Sequence, residues 1–197
     1  MKNTGKSKRK RLIWTILLSI LVIFLGYFFL YEPRYSGEIA IPEESLVIAH
    51  RGFGVHAPDN SLAGAKLALN NGMDGIDVDG QMTSDGELII FHDLTLGRLT
   101  NSTGRVSDKT LNEMLQLDLG PRFNESFNGS YVATFEDFLT AINGSAIYMV
   151  ELKVATASET GIEKRAAEII KKHNAYDWVY LSSFNPIVLY RLNKIDP

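Results

Sequence analysis

Four short stretches put ionisable residues at the end of an apolar run: His50 and Arg51 after "LVIA", Asp77 and Asp79 in "DGIDVD", His92 and Asp93 after "ELIIF", and Glu151 and Lys153 closing "AIYMVELK". If they converge, these residue types suit one chemistry. Arginine offers a planar fork of donors to phosphate oxygens, and histidine moves protons near neutral pH. Asp77 and Asp79 stand two apart, so on a strand both project to one face and can share a hard cation with Glu151 from another strand. Three carboxylates in a chain without cysteine point to Ca²⁺ or Mg²⁺ rather than zinc. His50 and His92 then flank the cation as one base and one acid for in-line displacement at phosphorus. Arg51 and Lys153 hold the non-bridging oxygens. Singly, each residue has a plainer role, a hydrogen-bonded structural histidine or an aspartate capping a turn. Convergence on one rim is what favours the chemistry.

The elements that must position them follow from apolar periodicity. Strands are expected over 46–50, 74–79, 87–93, 146–153 and 178–184, and helices in "SLAGAKLALNNG", "TFEDFLTAING" and "TGIEKRAAEIIKKH", the last with Thr160 and Glu163 spaced as a capping box. A long polar stretch, 94–133, separates the third strand from the next helix, and a short helix is expected in "SDKTLNEML". Alternating strands and helices argue for βα units and a parallel sheet. Each strand ends in polar groups, Ser182 and Ser183 on the fifth. The C-terminal rim is where (β/α)₈ barrels build their sites, whereas an open doubly wound sheet collects ligands at one switch point. The expected fold class is therefore α/β, a (β/α)₈ TIM-type barrel.

The first residues are of another kind. "MKNTGKSKRKR" carries six Lys or Arg and no acid, and residues 12–31 follow without a charge. Such a 20-residue run spans about 30 Å as a helix, the hydrocarbon thickness of a bilayer. The expected organisation is a basic cytoplasmic tail over 1–11, a transmembrane helix over 12–31, a linker over 32–45 and a domain over 46–197. Trp14 at one end and Tyr27 and Tyr31 at the other suit an interfacial belt, and the basic cluster keeps the N-terminus cytoplasmic and the domain extracytoplasmic. A cleaved signal peptide is the alternative. Beyond the tail, 14 of the 20 basic residues stand against 23 acidic ones, which argues against nucleic acid as a partner. The 197-residue length and 45% hydrophobic content suit one folded domain with a core of its own.

From about Leu46 onward the chain resembles the glycerophosphodiester phosphodiesterases. The resemblance lies in "AHRG" with "PDNS" after it, "GMDGIDVDGQMTSDGELIIFHD", "GRLTNSTGRVSD", "VATFEDFL", "VELK" and "LSSFNP". It implies a (β/α)₈ barrel and metal-dependent hydrolysis of glycerophosphodiesters to glycerol 3-phosphate and an alcohol. Carried over residue by residue, it makes His50 and His92 the general acid/base pair, Arg51 the phosphate ligand and Lys153 a supporting cation. Asp77, Asp79 and Glu151 become ligands of one divalent cation, Ca²⁺ or Mg²⁺, with Asp59 and Asn60 in supporting positions. The family usually has Glu where Asp77 stands, and PEN at Pro58, Asp59 and Asn60. It also continues through three more strands, so the resemblance implies a barrel truncated after about five βα units, poorly stable and inactive by itself. Membrane attachment makes a lysophospholipid substrate an alternative, as for a lysophospholipase D or a phospholipase C type enzyme. A non-catalytic membrane-anchored binding protein on a decayed barrel is the alternative of another class.

Overall fold

The computed structural model describes residues 4–30, 45–155 and 161–196. The linker expected over 32–45, Tyr31 and the capping residue Thr160 lie outside the described residues, apart from Ser45 itself. Two compact units separate, Met1–Pro42 and Glu43–Pro197. The first contains α1, Thr4–Leu30, which starts within the basic tail rather than at residue 12. Its window Lys8–Tyr27, mean hydropathy 1.8 and unburied, has the length and composition of a membrane span and equally of a signal sequence.

In the second unit the chain runs through β1 (Ile48–His50), α2 (Leu62–Asn70), β2 (Gly75–Met82), β3 (Leu88–Ile90), α3 (Leu111–Met114), α4 (Gly120–Phe123), β4 (Ala133–Thr134), α5 (Phe135–Ile142), β5 (Ile147–Leu152), α6 (Ile162–His173), β6 (Val179–Ser182) and α7 (Pro186–Ile195). β2 pairs in parallel with β1 and β5, and β5 with β6. Here lies the parallel sheet expected from the sequence.

The third strand departs from expectation. β2 runs to Met82, three residues beyond its expected end, and folds through the turn at Thr83–Gly86 into an antiparallel pairing with β3, Gly80 opposite Ile90. β3 in turn pairs antiparallel with the short β4. The reason is local: Gly86 adopts φ 84°, the left-handed conformation that closes a tight return, and no helix intervenes to carry the chain back for a parallel crossover. The sheet is thus mixed, and His92 and Asp93 follow a strand running opposite to the others.

One sheet face and the helices share the core. Ile76, Val78, Tyr148 and Val150 pack with Phe135, Phe138 and Leu139 of α5, Ala166 and Ile169 of α6, and Ala65 and Ala68 of α2. Residues 94–133, expected as a polar stretch, form a second core: Leu96, Leu99, Val106, Met114, Leu119 and Val132 are buried together with Ile89 and Phe91. Capping boxes form at Thr110 with Glu113 and at Thr134 with Asp137. On α6 the N-cap is Gly161 at φ 79°, without a side-chain cap bond, and Thr160, expected to pair with Glu163 there, lies outside the described residues.

Candidate active site

Register fixes which side chains share the face opposite the helices. His50 is paired with Asp77 and Asp77 with Met149, while Asp79 is paired with Glu151 and Glu151 with Ser182. Neighbours in register project to the same side, so His50, Asp77, Asp79 and Glu151 lie on one face. Asp77 sits mid-strand and caps no turn.

Arg51 joins them through an unusual turn. Arg51, Gly52 and Phe53 adopt φ 52°, 64° and 85° in succession, a conformation that costs about 1–3 kcal/mol at each non-glycine residue and persists where surrounding structure enforces it. Gly52 N donates to Asp77 O at 3.0 Å, Phe53 N and Gly54 N both donate to His50 O, and Asn60 N donates to Arg51 O at 2.9 Å. α2 closes over the turn at Gly64, where a Cβ would lie 2.4 Å from Gly52 O.

The side chains fall into three bonded groups. His50 Nδ1 lies 2.9 Å from Asp77 Oδ2. Lys153 Nζ lies 3.1 Å from Asp79 Oδ1 and 3.2 Å from Glu151 Oε2. Asn60 grips Asp79 twice, donating from Nδ2 to the carboxylate at 2.8 Å and accepting from the Asp79 backbone at 3.0 Å. The third group links the two ends of the rim: Arg51 Nη1 donates to Asp59 Oδ2 at 3.0 Å, Arg98 Nη1 donates to the same oxygen at 3.0 Å, and Arg98 donates twice more to Asp93, whose Oδ1 lies 2.6 Å from His92 Nδ1. The Arg98 hydrogen bond is the main cause that holds the Asp93 carboxyl down at about 2, against desolvation and with help from His92. A carboxylate only accepts, so in both histidine pairs the proton is assigned to Nδ1, leaving Nε2 of the neutral ring as the free basic nitrogen.

Two contributors went unrecognised in the sequence. Gln81 donates from Nε2 to the carbonyls of Phe91, His92 and Asp93 at 2.7, 3.1 and 2.9 Å, clamping the backbone that bears His92. Arg98 is the other. A glutamine within an apolar strand and an arginine five residues after an aspartate are the signals available, and neither names its partner.

The expected carboxylate trio is only partly assembled. Asp79 and Glu151 converge on Lys153, Asp77 turns to His50, and among the described residues no group of three His, Asp or Glu side chains is disposed to hold an ion. By donor type the residues nonetheless fit a hard cation: all three offer oxygen from one sheet face, and two already converge on a positive charge. Arg51 Nε is buried without a hydrogen-bond partner among the described residues, a donor that suits an anion. Beside these groups opens a cleft of about 760 Å³, lined by His92, Asp93, Glu151, Lys153, Ser183 and Phe184 among others.

Comparison with known proteins shows which family the chain resembles over most of its length. A glycerophosphodiester phosphodiesterase of Caldanaerobacter subterraneus is 38% identical over 155 residues, covering 78% of this chain and 64% of that protein. The human glycerophosphodiester phosphodiesterase 1 is 30% identical over 157 residues, covering 76% and 45%. Among solved structures, a phosphodiesterase from Oleispira antarctica, in complex with the product sn-glycerol-3-phosphate, superposes with TM-score 0.74 at 30% identity over 78% of this chain and 63% of that one. The glycerophosphodiester phosphodiesterase of Agrobacterium tumefaciens gives TM-score 0.71 at 32% identity, over 78% and 64%. The chain thus spans less than two thirds of these relatives, and its fold is of their TIM-barrel type with a mixed sheet. The profile of the Glycerophosphoryl diester phosphodiesterase family matches residues 50–197, and the chain belongs to that family.

Proposed function

We propose that the protein hydrolyses glycerophosphodiesters to glycerol 3-phosphate and an alcohol, with His50 and His92 as the acid/base pair. The observation that carries this reading is that each histidine has Nδ1 tied to an aspartate, at 2.9 and 2.6 Å, with no partner on either Nε2 among the described residues. One histidine takes a proton from the attacking water as its oxygen bonds to phosphorus. The other gives a proton to the departing alcohol oxygen as the old P–O bond breaks. Arg51 and Lys153 bind the non-bridging oxygens, Asp59 aims Arg51, and Asn60 fixes Asp79. Asp77, Asp79 and Glu151 would hold one divalent cation, Ca²⁺ or Mg²⁺, which when bound polarises a phosphoryl oxygen as a Lewis acid. The product named for the Oleispira antarctica relative's complex, sn-glycerol-3-phosphate, supports the glycerol 3-phosphate half. Helix α1 is retained as a single-pass anchor, N-terminus inside, because the six basic residues precede the apolar run and positive residues stay cytoplasmic.

The test sets glycerophosphodiesters beside lysophospholipids with the full chain and follows release of the head-group alcohol, the product common to both. His50→Ala and His92→Ala are each expected to lower turnover by about 10² or more with the fold intact. Near-normal turnover in either variant makes that histidine structural, and release only from lysophospholipids moves the activity to the lipid class.

A further inference from the structure

We propose that Arg98 is a positioning residue that holds the acid/base histidine His92 and the phosphate-binding Arg51 in one rigid frame. The inference rests on the roles given to those two residues above.

Arg98 reaches both. Its Nε and Nη2 donate to the two oxygens of Asp93 at 2.7 and 2.8 Å, the bidentate fork that fits guanidinium to carboxylate. Asp93 Oδ1 is also the atom 2.6 Å from His92 Nδ1. The remaining Nη1 donates at 3.0 Å to Asp59 Oδ2, the same oxygen that accepts from Arg51. One planar cation therefore sits between two carboxylates, each standing behind a different working group. Lysine, a point charge without a fork, cannot make all three bonds in fixed directions.

The arginine is itself anchored. It lies between Leu96 and Leu99, both buried in the smaller core. Leu96 N donates to Gly104 O at 3.0 Å, and Thr100 N donates to Leu96 O at 3.0 Å. The Arg98 side chain is half-exposed, and a surface ion pair of that exposure is worth little as a stabiliser. Its geometry is more specific than stability alone demands, because two of its bonds fix Asp93, which lines the cleft beside His92, and the third fixes Asp59 behind Arg51.

The test uses the full chain with Arg98→Ala and Arg98→Lys. Two-bond nitrogen–proton NMR reports which His92 nitrogen carries the proton, and calorimetry with inorganic phosphate reports the anion site. Wild type is expected to hold His92 as one tautomer, Nδ1 protonated. In Arg98→Ala the tautomers mix and phosphate affinity falls about tenfold, the size of a coupling between residues in one ion-pair network, while circular dichroism stays unchanged. Arg98→Lys falls between, and it carries the same comparison if the alanine variant does not fold. Unchanged tautomer and unchanged phosphate affinity in a folded variant overturn the proposal. A chain inert toward glycerophosphodiesters that still shows both changes keeps the positioning role of Arg98 and loses only the proposed reaction.

Discussion

At the residue scale, Lys153 stands out because it does with an ammonium what a metal ion would do for the same carboxylates. Asp79 is 5% exposed, and a carboxylate so buried is tolerable only with a positive partner. Lys153 bonds it and Glu151 together. Removing one partner of such a buried pair costs about 3–5 kcal/mol, chiefly by stranding the other charge. Lys153→Met is therefore expected to lower stability by roughly that amount without divalent cation. Millimolar Ca²⁺ or Mg²⁺ should raise the melting temperature of the variant more than that of wild type, since a ligand that binds only the folded form stabilises it. Thermal melts with and without chelator check this; equal cation shifts in both proteins would separate Asp79 and Glu151 from the metal.

At the element scale the strained turn after β1 depends on how near α2 comes. Glycine within a helix ordinarily weakens it, so replacement by alanine usually helps by about 0.5–1 kcal/mol. At Gly64 the sign reverses, because the added Cβ would meet the Gly52 carbonyl at 2.4 Å and the Ala57 Cβ at 3.2 Å. Forced overpacking of this kind costs about 1–3 kcal/mol. Gly64→Ala is expected to destabilise by that amount and to weaken phosphate binding through Arg51, whereas Lys66→Ala, exposed on the same helix, should be silent in both. Denaturant melts and phosphate titration of the two variants decide it. The start of α2 was legible beforehand, since the helix expected in "SLAGAKLALNNG" opens on Ser61, a residue type that caps helices and here accepts from Gly64 N. The turn it guards was not, because three successive left-handed residues are enforced by bonds to β2 and the 57–60 loop, not by their own preference.

At the scale of the whole molecule, the proposed anchor makes one further prediction: protease added to intact cells or spheroplasts digests the region after residue 43 and spares the basic N-terminus. Protection of that region would reverse the orientation, and its release as soluble protein would mark α1 as a cleaved signal. The sequence by itself determined what short-range pattern can carry. Uniform apolarity over one turn after another gave α1, and alternating strand residues put Asp77 and Asp79 on one face. The order of "AHRG", "IDVD", "FHD" and "VELK" disclosed the family. The short return at Thr83–Gly86, with no room for a crossover helix, set the antiparallel direction of β3, and tertiary structure decided which edge of β2 receives it. It also decided who partners whom. Asp77 bonds His50 across 27 residues and Arg98 reaches Asp59 across 39, separations at which charge types in the chain permit many pairings and only the packed positions of their backbones choose one.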